Sequence, residues 1–126
     1  SLAIISKRHP GPDVTEALEM VGDVNGKPAV LVDDMISTAG TLVVAAELLQ
    51  QRGAGEILAA STHGIFAQDA LGLIDRSPIE RLFVTDTLPL PQNEPTAKIE
   101  VVSVAPLLAE AITRIHKDLS ISALFT

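Results

Sequence analysis

The stretch VLVDDMISTAGT, residues 30–41, decides how this chain folds. It opens on Val30, Leu31 and Val32, the end of an apolar run that begins at Ala29 and reads as a buried strand over residues 29–34. Two carboxylates, Asp33 and Asp34, stand at that strand's carboxyl end. A loop of small residues follows, and from about Ala39 the sequence GTLVVAAELLQQRGAG is helical. Its apolar residues Leu42, Ala45, Ala46 and Leu49 recur at the spacing of one helix face, and Gly53 is a stop signal.

The same alternation extends on both sides. Upstream, Leu2 to Ile5 reads as a short strand, SKRHPGPD (6–13) as a loop, and ALEMVGD (17–23) as a strand closed by a hairpin turn at Asn25-Gly26. Downstream, EILAAST (56–62) is a strand, AQDALGLIDRS (67–77) a helix and IERLFVTD (79–86) a strand. A Pro-rich loop leads into the strand KIEVVSV (98–104), and the last helix starts with Pro106, a favoured first-turn residue. Strands alternating with helices predict an α/β fold whose mostly parallel sheet is covered by helices on both faces. Residues 1–126 read as a single domain, without repeats or low-complexity tracts.

Composition narrows the function. The 126 residues carry 9 Lys+Arg against 16 Asp+Glu, a net charge of −7, which argues against coating a nucleic-acid backbone. Aromatics are 2%, all Phe, so base-stacking platforms are not expected either. With 47% hydrophobic residues and a mean hydropathy of +0.35 the chain is too apolar for disorder. No cysteine is present, which removes disulfides and thiolate chemistry and suits a cytoplasmic protein. No run approaches the roughly 18 apolar residues of a membrane span, so no membrane partner is expected. The chain opens on Ser1 and is apolar from Leu2 onward, the pattern expected of a piece of a longer polypeptide.

In open parallel sheets ligands bind beyond the carboxyl ends of the strands, at helix amino-termini. Three strand ends are polar: Asp33-Asp34, Ser61-Thr62-His63-Gly64 and Thr85-Asp86-Thr87. After the first, Ser37, Thr38, Ala39, Gly40 and Thr41 offer backbone N–H groups and three hydroxyls at the positive end of a helix dipole, a seat for phosphate. Carboxylates repel phosphate, so Asp33 and Asp34 are expected to face vicinal sugar hydroxyls instead. Together they describe a site for a ribose 5-phosphate. The plainer alternative is that Thr38 caps the helix and both Asp residues are solvated loop charges.

Residues 30–41 also resemble the phosphoribosyl-pyrophosphate signature of the type I phosphoribosyltransferase fold. With MVGDVNGKPAVLVDDM, STHGIF, VTDTLPLP, VVSVAPLLAEAITRIH and the terminal SISALF, in that order, the chain resembles the ribose-phosphate pyrophosphokinase family. Members of that family make phosphoribosyl pyrophosphate and AMP from ATP and ribose 5-phosphate. The likeness covers essentially the whole chain and implies most of the carboxyl-terminal domain of a two-domain enzyme. It implies ATP and ribose 5-phosphate as ligands, Mg²⁺ as cofactor, and homo-oligomeric assembly. It also implies that the 126 residues alone lack part of the nucleotide site, are inactive by themselves, and hold no metal ligand that can be named.

By the same resemblance, Asp33 and Asp34 match ribose-hydroxyl carboxylates and Ser37 to Thr41 the loop around the 5-phosphate. Lys7 matches the lysine of a flexible catalytic loop that stabilises charge on the transferred diphosphoryl group, and His9 stands where many members carry Arg. Ser37 replaces a common Asp, and Ala67-Gln68 a common Ser-Gly. His63 reads equally as a capping residue or a substrate contact, and His116 as structural. Two other readings share the signature: a salvage phosphoribosyltransferase, for which no base-covering insertion is visible, and a phosphate-binding homologue without turnover.

Overall fold

A computed structural model describes residues 4–8, 17–91 and 97–125. The elements are β1 (Ile4–Arg8), β2 (Ala17–Val21), β3 (Ala29–Ile36), α1 (Gly40–Gln51), β4 (Ile57–Gly64), α2 (Ala70–Arg76), β5 (Arg81–Thr85), β6 (Ile99–Val102), α3 (Ala105–His116) and a 3₁₀ turn (Ser122–Leu124). Strands β3-β4-β5-β6 form a four-stranded parallel sheet in that order, while β1 and β2 pair antiparallel in a separate ribbon. This is the α/β architecture the alternation predicts.

The core lies on one face of the sheet. Ile57 and Ala59 of β4 and Leu82 and Val84 of β5 are buried there, under Leu42, Ala46 and Leu49 of α1 and Ala70 and Ile74 of α2. The 3–4 spacing on α1 buries all four residues read from the sequence. Short α2 ends where Ser77 Oγ donates to Ile74 O at 2.7 Å and Lys98 Nζ donates to Ser77 O at 2.9 Å. The ammonium thus sits at the negative end of that helix.

Three local expectations differ from the structure. Asn25-Gly26 makes a turn, with Gly26 at φ 68°, but β2 pairs with β1 and not with β3. The turn instead docks on the end of α1: Gly26 N donates to Gly53 O at 2.7 Å and Gly55 N to Lys27 O at 2.8 Å. Apart from Ile36, strand β3 is not buried: among the described residues it lies at the sheet edge, paired only with β4, and Val32 is 79% exposed. An apolar run says that a strand has two apolar faces, and here α1 covers one of them. Cover on both sheet faces is likewise not seen among the described residues. Val30, Val32 and Val102 are exposed, and so are Leu108, Ile112 and Ile115 of α3, which buries no residue. No helix among the described residues is long and apolar enough to cross a membrane.

Candidate functional site

The parallel register aligns Asp33 with Ser61 and Ser61 with Val84, so β3, β4 and β5 end side by side. Ile36, 3% exposed, anchors the last residue of β3 in the core, and the chain then turns through Ser37, Thr38 and Ala39 into α1. Ala39 makes the turn with a left-handed backbone, φ 63° and ψ −3°, and is buried. No side chain caps α1, and Val43 N donating to Ala39 O at 2.9 Å starts the helical ladder. Capping by Thr38, the plainer reading of the sequence, is therefore not what the loop does. The first-turn amides are left for another acceptor, as an anion seat requires.

A cavity of about 200 Å³ occupies this turn. Ser37, Thr38, Ala39, Gly40 and Thr41 all line it, and so does Asp33. One expected carboxylate and every residue of the expected phosphate loop are thus brought together. Asp34 does not line this cavity, and its backbone N–H is held by Asp33 Oδ1 at 2.9 Å. A second hollow of about 150 Å³ shares Asp33 and Thr41 with the first and reaches Ile5 of β1. The ribbon that carries Lys7 therefore borders the site.

Lys7 itself lies in β1, its backbone opposite Leu18, so the expected loop begins later than residue 6. His9 lies outside the described residues. Among the described residues no group of three or more His, Asp or Glu could hold a metal ion.

The other two polar strand ends form one hydroxyl cluster. Thr85 Oγ1 donates to Thr62 O at 2.7 Å, Thr87 Oγ1 to the same carbonyl at 3.1 Å, and His63 Nδ1 meets Thr87 Oγ1 at 2.8 Å. His63 is thus tied to the end of β5 through a hydroxyl. Asp86 is structural: its carboxylate accepts from Ser103 Oγ and, at 2.9 Å, from Val104 N just ahead of α3. The Ser103 hydroxyl first and the Val104 amide second hold its carboxyl below the ordinary aspartate range. A larger cavity of about 420 Å³, bordered by the Asp23–Lys27 ion pair (2.8 Å), lies at the opposite end of β3 and does not touch the loop.

Sequence reasoning noted Ala67-Gln68 after β4 as a departure from the family but missed that this segment bonds to the end of β3. Ile65 N donates to Ile36 O at 2.9 Å, Phe66 N to the same oxygen at 3.3 Å, and Ala67 N to Ser37 O at 3.0 Å. Phe66 and Gln68 are both left-handed, at φ 51° and 58°. Gly64 was the available signal, a glycine closing a strand where something approaches the backbone closely.

Known proteins are similar to this chain in sequence and in fold. The sequence profile described as "Phosphoribosyl synthetase-associated domain" matches residues 4–126. The chain is 54% identical over 125 residues to a ribose-phosphate pyrophosphokinase of Caldanaerobacter subterraneus subsp. tengcongensis, covering 99% of this chain and 40% of that protein. It is 49% identical to a ribose-phosphate pyrophosphokinase of Aquifex aeolicus with the same coverage of both. The crystal structure of phosphoribosylpyrophosphate synthetase from Mycobacterium smegmatis superposes with a TM-score of 0.77 at 36% identity, over 81% of this chain and 34% of the other. The chain thus spans about two fifths of the length of these curated relatives. With a profile match over nearly every residue and a shared fold, the chain belongs to the phosphoribosyl synthetase-associated domain family.

Proposed function

We propose that this chain carries the ribose 5-phosphate site of a ribose-phosphate pyrophosphokinase. In that reaction the anomeric hydroxyl of ribose 5-phosphate attacks the β-phosphorus of ATP. The bond from that phosphorus to the α-β bridging oxygen breaks, AMP leaves, the hydroxyl proton is released, and phosphoribosyl pyrophosphate forms. The observation that carries the reading is the cavity in which an uncapped helix start, the Ser37, Thr38 and Thr41 residues and the Asp33 carboxylate converge. Amides and hydroxyls suit the 5-phosphate, and carboxylates suit the ribose hydroxyls. Asp34, Lys7 and His9 belong to the proposal through the family resemblance: Asp34 on a ribose hydroxyl, Lys7 and His9 as donors to the migrating diphosphoryl group. Such chemistry is carried by positioning and cationic stabilisation, which suits a lysine and a hydrogen-bond-donating histidine.

The wider context is proposed on the same footing. The matched relatives are ribose-phosphate pyrophosphokinases of which this chain covers about two fifths, which supports a longer enzyme with ATP bound partly by other residues; the carboxyl-terminal place of these residues in it rests on the family resemblance alone. The exposed stripe of α3 supports assembly with further protein surface, in keeping with a homo-oligomer. Calorimetric titration with ribose 5-phosphate, inorganic phosphate and ribose tests the site. Ribose 5-phosphate and phosphate are expected to compete, with ribose far weaker than ribose 5-phosphate. Thr41→Ala should weaken both phosphate ligands by about 1–2 kcal/mol, one charge-assisted hydrogen bond. Ribose 5-phosphate binding that phosphate does not compete for, or that Thr41→Ala leaves unchanged, would sink the reading.

A further inference from the structure

Among the described residues the non-glycine positions with a left-handed backbone are Ala39, Phe66, Gln68 and Asp118. Asp118 follows α3, where such a conformation ordinarily ends a helix. The other three lie on two neighbouring loops at the carboxyl ends of β3 and β4. A left-handed backbone is costly for a bulky residue such as Phe66, and it persists only where the surroundings over-determine it.

Those surroundings are specific. Phe66 is 5% exposed and its ring lies against Gly64. A Cβ on Gly64 would collide with ring atom Cε2 and come within 2.8 Å of Cζ. The ring thus occupies the space of a missing side chain, and its burial offsets the backbone cost. With the ring seated, three successive amides, Ile65, Phe66 and Ala67, point at Ile36 O and Ser37 O. Those two carbonyls belong to the last residue of β3 and the first of the Ser37–Thr41 loop.

We propose that Phe66, seated on Gly64, is a positioning residue for the phosphate-binding loop: it holds the residue 65–67 amides against Ile36 and Ser37 and so fixes where that loop departs from β3. This rests on the reading of Ser37–Thr41 as a phosphate seat. Phe66 touches no ligand in this account; it acts through two backbone carbonyls. The loop has no side-chain cap at Ala39, so its path is set from outside, by the core under Ile36 and by this three-amide clasp. A loop displaced by about an ångström no longer presents converging donors, and losses of tenfold or more follow from such misplacement.

Three variants of the whole chain test the proposal: Gly64→Ala, which pushes on the ring; Phe66→Leu, which keeps apolar volume but vacates the ring's space; and the double variant. Binding of inorganic phosphate and of ribose 5-phosphate is measured by calorimetry at a temperature where each variant is fully folded by circular dichroism. Amide exchange is followed at Ala67 and, as a core reference, at Leu82, whose N–H is bonded to Lys98 O at 2.8 Å. Each single variant is expected to weaken both ligands about tenfold and to speed exchange at Ala67 while leaving Leu82 unchanged. In the double variant the added Cβ meets no ring, so the loss should fall well short of the product of the single losses. A merely structural role would speed both amides and leave binding by the folded protein intact; either result overturns the proposal. So does unchanged binding with a loosened Ala67. Absence of phosphate and ribose 5-phosphate binding in the unaltered chain would overturn the phosphate-seat reading itself and the proposal with it, whereas normal binding that the variants fail to change overturns the proposal alone.

Discussion

Asp33→Asn separates the two halves of the site by giving them different outcomes. The substitution keeps the shape of the side chain and an oxygen that can accept the Asp34 amide, now at 2.9 Å from Asp33 Oδ1, so the loop should retain its form. What disappears is one negative charge on the rim of a cavity of about 200 Å³. A sphere of that volume is about 7 Å across, a separation at which two unit charges in water interact by about 0.6 kcal/mol. For a phosphate near two negative charges the repulsion is about 1 kcal/mol at low salt, reduced to about 0.4 kcal/mol at physiological ionic strength. Inorganic phosphate should therefore bind about twofold tighter to the variant at 0.15 M salt. Ribose 5-phosphate gains the same relief but loses the difference between a charge-assisted and a neutral hydrogen bond on a ribose hydroxyl, about 1 kcal/mol. Repulsion cancels in the ratio of the two affinities, so that ratio should fall about fivefold at any salt concentration. Calorimetry with both ligands, at low salt and at about 1 M, reads all of this, since the shared gain should vanish at high salt. An unchanged ratio would refute the placing of a ribose hydroxyl on Asp33. Equal weakening of both ligands would show that Asp33 serves the loop's folding instead.

Two further outcomes concern stability. Ile74, fully buried between α2 and the sheet, should cost about 2–5 kcal/mol as Ile74→Ala, seen as a lower urea midpoint with an unchanged slope; a loss below 1 kcal/mol would show that the α2–sheet contact is not part of the core. Asp86 has its folded pKa lowered by the Ser103 hydroxyl and the Val104 amide, so its stabilisation is present above the unfolded carboxyl range and is lost as pH falls through the folded value. The stability gap between the unaltered protein and Asp86→Asn should accordingly narrow on acidification, and urea midpoints that diverge toward acid would contradict the stabilising role of those two bonds.

Legibility followed the range of the interactions. The α1 face at Leu42, Ala45, Ala46 and Leu49 is a local pattern and could be read directly, as could the small-residue loop after Asp33. The end of β1 could not, because only pairing with β2 shows that Lys7 continues a strand. Strand β3 misled for a related reason. Alternation is blurred when both faces are apolar, and periodicity does not reveal whether a neighbour stands on each side. The Asn25-Gly26 pair signals a turn, but its partner is the end of α1, a contact set by tertiary packing. At the site, Ala39 and Phe66 break the local rule that left-handed positions favour glycine, so composition gave no hint of either.

Helix α3 stands apart energetically. Pro106 in its first turn, the Arg114 Nε to Glu110 Oε1 bond of 2.8 Å and the Asp86 anchor at its start are local supports, and no residue of its 12 is buried. Isolated helices of this length are marginal in water, so α3 should fray and re-form while β4 and β5 stay closed, behaving as its own foldon. A surface that covered Leu108, Ile112 and Ile115 would then complete the folding of this helix as well as adhere to it, and its measured affinity would include the free energy of ordering α3.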